Sequence, residues 1–414
     1  MSAGLTAPRG TADILPEQAA LRLRVERTAR ELLEPAGYGR IETPAFEATE
    51  LFARGVGATT DIVEKEMYSF DDGGGRSLTL RPEGTAPVCR AYVEHGMHKL
   101  AAPVKLYYLE SFFRAERPQS GRYRQFWQVG AEALGSEDPA LDAELIVLLH
   151  QLLKRLGAGG LHLRLSSLGT PAARGAYRDE LIDYLHAHSE RLSATVRDRI
   201  ERNPLRAFDA DDPSTRAVME GAPRLLDRLP ADDLEHFAEV RRLLDGAAVA
   251  YEIDTTLVRG LDYYTRTVFE FTSDELAGGQ STVGAGGRYD GLVALLGGPP
   301  TPGAGWAAGV ERILLASRAQ AEVPSAPDLY VAHDGARAAA FELALDARAA
   351  GLSAQLELAG RSLKGQFKHA ERLNVRFVAV VDDGTVTLRD RLAGGERAVA
   401  RGDVVAAVKR ALEA

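Results

Sequence analysis

The chain has 414 residues, 45% hydrophobic and 26% charged, with a net charge of −9. Length and composition predict a water-soluble protein of two or three domains, and the longest apolar run, "ELIVLLHQLL", is interrupted by His150 and Gln151 before it could span a membrane. The acidic balance argues against a protein that coats nucleic acid by charge alone, although residues 327–414 are nearly balanced, with 13 Lys and Arg against 12 Asp and Glu.

The N-terminus lacks a basic stretch followed by an apolar one, so a cytoplasmic protein is expected. "PEQAALRLRVERTARELLEPAGY" predicts a helix, with Leu21, Val25, Leu32 and Leu33 at helical spacing between Pro16 and the stop at Pro35 and Gly37. A strand-like "YGRIETPAFE" follows, then a hairpin over residues 66–86 around the turn "DDGGGRS". The single cysteine, Cys89, reads as a small buried hydrophobe. "VKLYYLESFFRAE" and "RYRQFWQVGAEALG" are strands joined by "RPQSG". "DPALDAELIVLLHQLLKRLG" is a helix with Asp138 as N-cap, Pro139 in its first turn and Gly157 past its end.

From about 170 to 250, short charged helical patterns punctuated by Pro204, Pro213, Pro223 and Pro230 suggest a helical insertion. His186 and His188 lie two apart and share no helix face, so no metal site is expected there. The β pattern resumes at Tyr251. "LVRGLDYYTRTVFEF" reads as a strand, and "GAGGRYDGLVALLGG" leads to the helix-like "GVERILLASRAQ". After the linker-like "AEVPSAPD" comes a compact strand and helix alternation, an α/β domain.

Three segments carry chemistry. In "TLRPEGTAP", Glu83 and Thr85 follow an apolar strand run; in an extended chain both side chains would lie on one side, suited to an ammonium group. "FFRAERPQSGRYRQFWQ" sets Arg114, Arg117, Arg122 and Arg124 on a strand, loop and strand, where guanidinium forks match phosphate oxygens. "GAGWAAGVERI" places small residues ahead of Glu311 and Arg312 at a helix start, a position suited to an anion. No GxxxxGK[ST] loop occurs, so a nucleotide would be held by arginines.

Taken in order, "RIETPAFE", "FRAERPQSGRYRQFWQ" and "GVER" resemble motifs 1, 2 and 3 of class II aminoacyl-tRNA synthetases. "TLRPEGT", "LVRGLDYYTRTVFEF" and "GAGGRYDGL" resemble the segments that mark the histidyl-tRNA synthetase family within that class, and the resemblance runs from Pro8 to the C-terminus. It implies an α+β fold: a class II antiparallel-sheet catalytic core with a helical insertion, plus a C-terminal α/β anticodon-binding domain. The corresponding boundaries are 1–165 and 251–318 for the core, 166–250 for the insertion, 319–327 for a linker and 328–414 for the anticodon-binding domain.

The resemblance further implies ATP-dependent activation of L-histidine to histidyl-adenylate and transfer to the 3′ end of tRNA(His) by a homodimer. Arg114 and Arg259 match catalytic arginines at the α-phosphate and carboxylate, Arg312 the γ-phosphate contact, and Glu116 a position near adenine. Mg²⁺ is expected with the pyrophosphate, without a dedicated protein metal cage. Glu132 and Tyr264 match groups facing the imidazole, Glu83, Thr85 and Gln128 surround the α-amino group, and Tyr263 and Tyr289 line the histidine pocket. Arg117, Gln119 and Arg122 at the hairpin tip would meet the tRNA acceptor end. Trp306 is bulkier than the approach to motif 3 calls for. The alternative is a catalytically silent synthetase-like regulator that senses histidine; such paralogues lack the Arg259-type arginine and the anticodon module.

Overall fold

The computed structural model describes residues 5–57, 60–257, 260–276, 281–317, 326–382 and 385–413. They fall into two compact units, Met1–Ala321 and Glu322–Ala414. None of the described helices is long and apolar enough to cross a membrane.

In the first unit the strands are β1 (Gly39–Arg40), β2 (Phe46–Ala48), β3 (Tyr68–Asp71), β4 (Ser77–Leu80), β5 (Val104–Phe113), β6 (Gln125–Leu134), β7 (Leu161–Ser167), β8 (Glu252–Ile253), β9 (Thr265–Ser273), β10 (Thr282–Arg288) and β11 (Gly303–Gly309). Eight form one sheet in the order β1-β5-β6-β11-β10-β9-β7-β8. Its six central strands pair antiparallel, and the two-residue edge strands β1 and β8 pair parallel. Successive strand residues point to opposite faces. On β6, Val129, Ala131 and Ala133 therefore enter a core with the helices, while Gln128 and Glu132 face the other way.

That core is completed by helices Pro16–Leu33, Pro139–Arg155 and Ala231–Gly246. Leu33, Leu145, Leu149, Phe237 and Leu244 pack with Phe269, Phe271 and Trp306 of the sheet. The expected N-cap holds: the Asp138 carboxylate accepts from the Ala140 amide at 2.8 Å. Trp306 is 2% exposed in this layer. Its cross-strand partner is Gly286, where a Cβ would stand 2.7 Å from the Trp306 Cβ, so the glycine makes room for the indole.

Three details depart from the sequence reading. Ala231–Gly246 belongs to the main core, because Phe237, Val240 and Leu244 form a stripe at helical spacing beneath its charged outer face. A fully buried network also fastens it: Arg288, 0% exposed, bonds Asp142 through Nε at 3.0 Å, and His236 of the helix meets the same carboxylate at 3.1 Å. The remaining insertion packs Leu181, Leu185, Ile200 and Val218 into one cluster with Tyr108, Tyr263 and Tyr264. Secondly, Thr85 opens a helix, Thr85–Glu94, so the Glu83 and Thr85 pair is not extended. Thirdly, β9 begins only at Thr265. Tyr263 and Tyr264 are both buried and lie ahead of it, where the chain turns before pairing.

The "DDGGGRS" hairpin is present as β3 and β4, which with β2 make a three-stranded sheet. The second unit contains β12 (Leu329–His333), β13 (Ala354–Leu356), β14 (Phe377–Asp382), β15 (Thr385–Asp390) and β16 (Gly395–Val399), ordered β13-β12-β14-β15-β16. Helices Arg337–Ala349 and Val404–Glu413 share one core with the sheet, and helix Leu363–Arg372 a second.

Candidate active site

Opposite the helical layer, the sheet floors a cavity of about 200 Å³. One end is carboxylate-rich. The Glu83 side chain is 5% exposed and accepts from the amides of Thr85 and Ala86, each at 2.9 Å, at the start of helix Thr85–Glu94. Burial raises its pKa, against the opposing pull of those amides and of Arg114. The Thr85 hydroxyl donates to Glu132 at 2.8 Å.

Glu132 has no exposed surface. Its second oxygen accepts from the Tyr289 hydroxyl at 2.5 Å, and the Tyr108 hydroxyl stands 3.5 Å from the first. Desolvation raises its pKa to about 8, although the Tyr289 and Thr85 hydroxyls pull the other way. Gly305 of β11 is pressed against it: a Cβ there would lie 1.8 Å from a carboxylate oxygen. Tyr263 and Tyr264 close this end with ring centroids 4.8 Å apart, and Tyr263 stands edge-on to Tyr289 at 5.7 Å. The Gln128 carbonyl oxygen is buried without a hydrogen-bond partner.

The other end is cationic. Arg114 lies over Phe126 at 5.3 Å and donates to the Pro82 carbonyl at 2.9 Å. Arg312 donates to the carbonyls of Gly121 at 3.1 Å and Thr282 at 2.9 Å. Desolvation, then the positive charges of Arg122 and Arg114, lower its pKa, which records three arginines gathered around one space. Glu116 lies between them, ion-paired with Arg122 and 3.8 Å from Arg114. Glu311 also lines the cavity but is held by Arg22 at 2.6 Å and the Trp127 amide at 3.0 Å.

The structure thus brings Glu83, Thr85, Gln128, Tyr263 and Tyr264 to one end and Arg114, Glu116, Arg122 and Arg312 to the other, with Glu132 and Tyr289 enclosed behind Thr85. Arg122 turns into the cavity, whereas Arg117 and Gln119 are exposed on the loop outside it. Arg124 points away, bonding the carbonyls of Glu116 at 3.2 Å and Arg9 at 3.3 Å. Arg259 lies outside the described residues. Sequence reasoning missed Tyr108, which looked like one more apolar position of β5. Its signal was the glycines facing it: a Cβ on Gly84 or Gly130 would come within 2.5 or 2.3 Å of its ring.

A shielded carboxylate end joined to a cluster of arginines suits a small cationic molecule set beside a polyanion. A family model described as histidyl-tRNA synthetase matches residues 10–313, and one described as an anticodon binding domain matches residues 329–411. The histidine–tRNA ligase of Desulforudis audaxviator is 49% identical over 415 residues, covering 98% of this chain and 99% of its own. That of Desulforamulus reducens is 46% identical over 414 residues, with the same coverage. The crystal structure of apo S. aureus histidyl-tRNA synthetase superposes with a TM-score of 0.81 at 34% identity, covering 98% of this chain and all of the other. By its sequence, its fold and the segments that build its cavity, the chain belongs to the histidyl-tRNA synthetase family.

Proposed function

We propose that this chain activates L-histidine with ATP and transfers the histidyl group to tRNA(His). The observation that carries the reading is the single cavity with a buried carboxylate end and a three-arginine end. In the first step the histidine carboxylate attacks the α-phosphorus of ATP; the bond to the bridging oxygen breaks and pyrophosphate leaves with its electron pair. In the second, the terminal ribose hydroxyl of the tRNA attacks the mixed anhydride and releases AMP.

Both partners of the first step are anionic at the reacting ends. Fixed guanidinium groups lower that barrier by holding the partners in line and meeting charge that develops on the phosphorus. Arg114 is assigned to the α-phosphate and the amino-acid carboxylate, and Arg259 is its counterpart by resemblance. Arg312 and Arg122 face the outer phosphates. The nucleotide enters as its magnesium complex, so the metal counts as part of the substrate. Glu116, held between Arg122 and Arg114, borders the expected adenine position.

At the other end, Glu83 and the unpartnered Gln128 oxygen supply acceptors for the α-ammonium. Glu132 and Tyr264 are assigned to the two imidazole nitrogens, one needing an acceptor and the other a donor. Exposed Arg117 and Gln119 are assigned to the tRNA acceptor end, and the C-terminal unit to the anticodon. A homodimer in the cytoplasm completes the reading. Charging tests it: the purified chain should attach labelled histidine to a transcript of tRNA(His) and not to a transcript carrying another anticodon and acceptor end. Equal charging of both, or of neither, would defeat it.

A further inference from the structure

Residues 199–206 of the insertion lie against two segments that border the cavity. Asp61, at the start of the helical turn Ile62–Glu66, holds two arginines of that stretch, one carboxylate oxygen 3.0 Å from Arg199 and the other 3.0 Å from Arg206. Partial burial pushes the Asp61 pKa up, but the two guanidinium groups outweigh it and hold the carboxyl below the usual range, so the pairing persists at neutral pH. Arg206 also touches the second segment, where a Cβ on Gly260 would stand 3.4 Å from its guanidinium. Two residues further on, Asp262 accepts from the Asn203 side-chain amide at 3.3 Å. Burial lowers the pKa of Arg174, on helix Pro171–Ala187, and the charge of Asp262 opposes that shift.

Both segments lead into the site. The carbonyl of Glu66, at the end of the helical turn, accepts from the Ala115 amide at 2.8 Å, next to Arg114. Asp262 stands between Leu261 and Tyr263, which line the cavity together with Tyr264. The two segments are also joined to each other: the Asp262 amide donates to the Val56 carbonyl at 3.2 Å, and Gly57, at a φ of 106°, leaves space for the Asp262 carboxylate, which a Cβ there would approach within 2.4 Å. One short stretch of the insertion thus grips the supports of both ends of the cavity, although Arg199, Asn203 and Arg206 do not line it.

The geometry points to Asp61, Arg199 and Arg206 as positioning residues for the activation step: the clasp they form holds the segments that support Arg114 and carry Tyr263 and Tyr264 in their competent arrangement before substrates arrive. This rests on the proposed function. Opening the clasp makes that arrangement one of several, and the apparent affinity for each substrate then falls in proportion to the fraction of chains that keep it. Saturating substrates restore the arrangement, so turnover at saturation is largely retained. Loss of a group that touches the reacting atoms would lower turnover instead, and loss of an ion pair that served stability alone would leave both Michaelis constants where they were.

Histidine-dependent pyrophosphate exchange without tRNA tests this on the full chain and its Asp61→Asn, Asp61→Glu, Arg206→Ala and combined Asp61→Asn, Arg206→Ala variants, each checked for fold by circular dichroism. Asp61→Asn should raise KM for histidine and for ATP by a similar factor, roughly three- to tenfold for two partly exposed ion pairs, with kcat little changed. Asp61→Glu, which keeps the charge, should stay closer to the unmodified chain. The combined variant should be no worse than Asp61→Asn, because both changes open the same clasp. Unchanged KM values in the folded single variants, or additive losses in the combined one, would overturn the inference. Amide hydrogen exchange gives a readout apart from activity: Asp61→Asn should speed exchange at the Glu64 amide, which is bonded to the Thr60 carbonyl, and equal rates in the two proteins would also overturn the inference. Failure of the unmodified chain to support exchange with histidine would instead refute the proposed function.

Discussion

Replacing Glu132 by glutamine should separate the residue's effect on binding from its effect on stability. The carboxyl is fully enclosed, and burial lifts its pKa from 4.5 to about 8. In the unfolded chain it ionises near the ordinary value. The folded state therefore holds the proton more tightly, and the stability this confers is fully present below about pH 4.5 and lost as pH rises through about 8. Each unit of difference corresponds to about 1.4 kcal/mol, which sets a ceiling on the order of 5 kcal/mol; relaxation and a higher effective dielectric reduce it to roughly half. Glutamine carries no such dependence. Urea unfolding at about pH 5, 7 and 9 should show Glu132→Gln gaining on the unmodified chain as pH rises, by about 2 to 3 kcal/mol across the series. Histidine-dependent pyrophosphate exchange should meanwhile fall by on the order of a hundredfold, because the amide cannot ionise and sets an NH2 donor where one carboxylate oxygen accepted. Parallel stability curves for the two proteins would refute the reasoning, because they would mean that Glu132 is not a buried ionisable group.

Other perturbations test the remaining parts. Gly305→Ala should raise histidine KM by at least about tenfold with the fold retained by circular dichroism, since the new methyl would displace the Glu132 carboxylate. Arg312→Ala should raise ATP KM on the order of tenfold while leaving the urea midpoint equal or higher, because it relieves repulsion from Arg122 and Arg114; a clear loss of stability would contradict that. Asp142→Ala should cost about 3 kcal/mol in urea unfolding by removing the buried carboxylate that meets two of the Arg288 nitrogens and leaving Asp290 as its ion-pair partner, and adding Arg288→Met should recover much of it. Arg259→Ala should abolish exchange in a folded protein, as read by exchange and circular dichroism together.

Much of the architecture was legible because its signals are local. Asp138 and Gly157 bracket a helix, "DDGGGRS" makes a hairpin, and the small residues of "GAGWAAG" form β11 ahead of Arg312. Convergence was harder to read. Tyr263 and Tyr264 could be singled out by type, but both are buried ahead of β9 in a cluster with Tyr108, Tyr289 and Leu181, which are distant in the chain. Ala231–Gly246 looked like part of the insertion because its charges dominate its composition; its apolar stripe seats it in the core, and His236 adds a contact to Asp142, some 90 residues before it. Thr85 reads as an ammonium contact in a linear motif. Only the fold shows its hydroxyl on Glu132, which is supplied by a strand 47 residues away.

The most direct measurement is amino-acid-dependent exchange of labelled pyrophosphate into ATP by the purified chain with magnesium, run separately with each of the common amino acids. It isolates activation from tRNA binding and reports on both ends of the cavity together. The account predicts exchange with histidine alone. Exchange with a different amino acid would contradict the reading of Glu132 and Tyr264, and tight histidine binding without exchange would contradict the catalytic role of the arginine end.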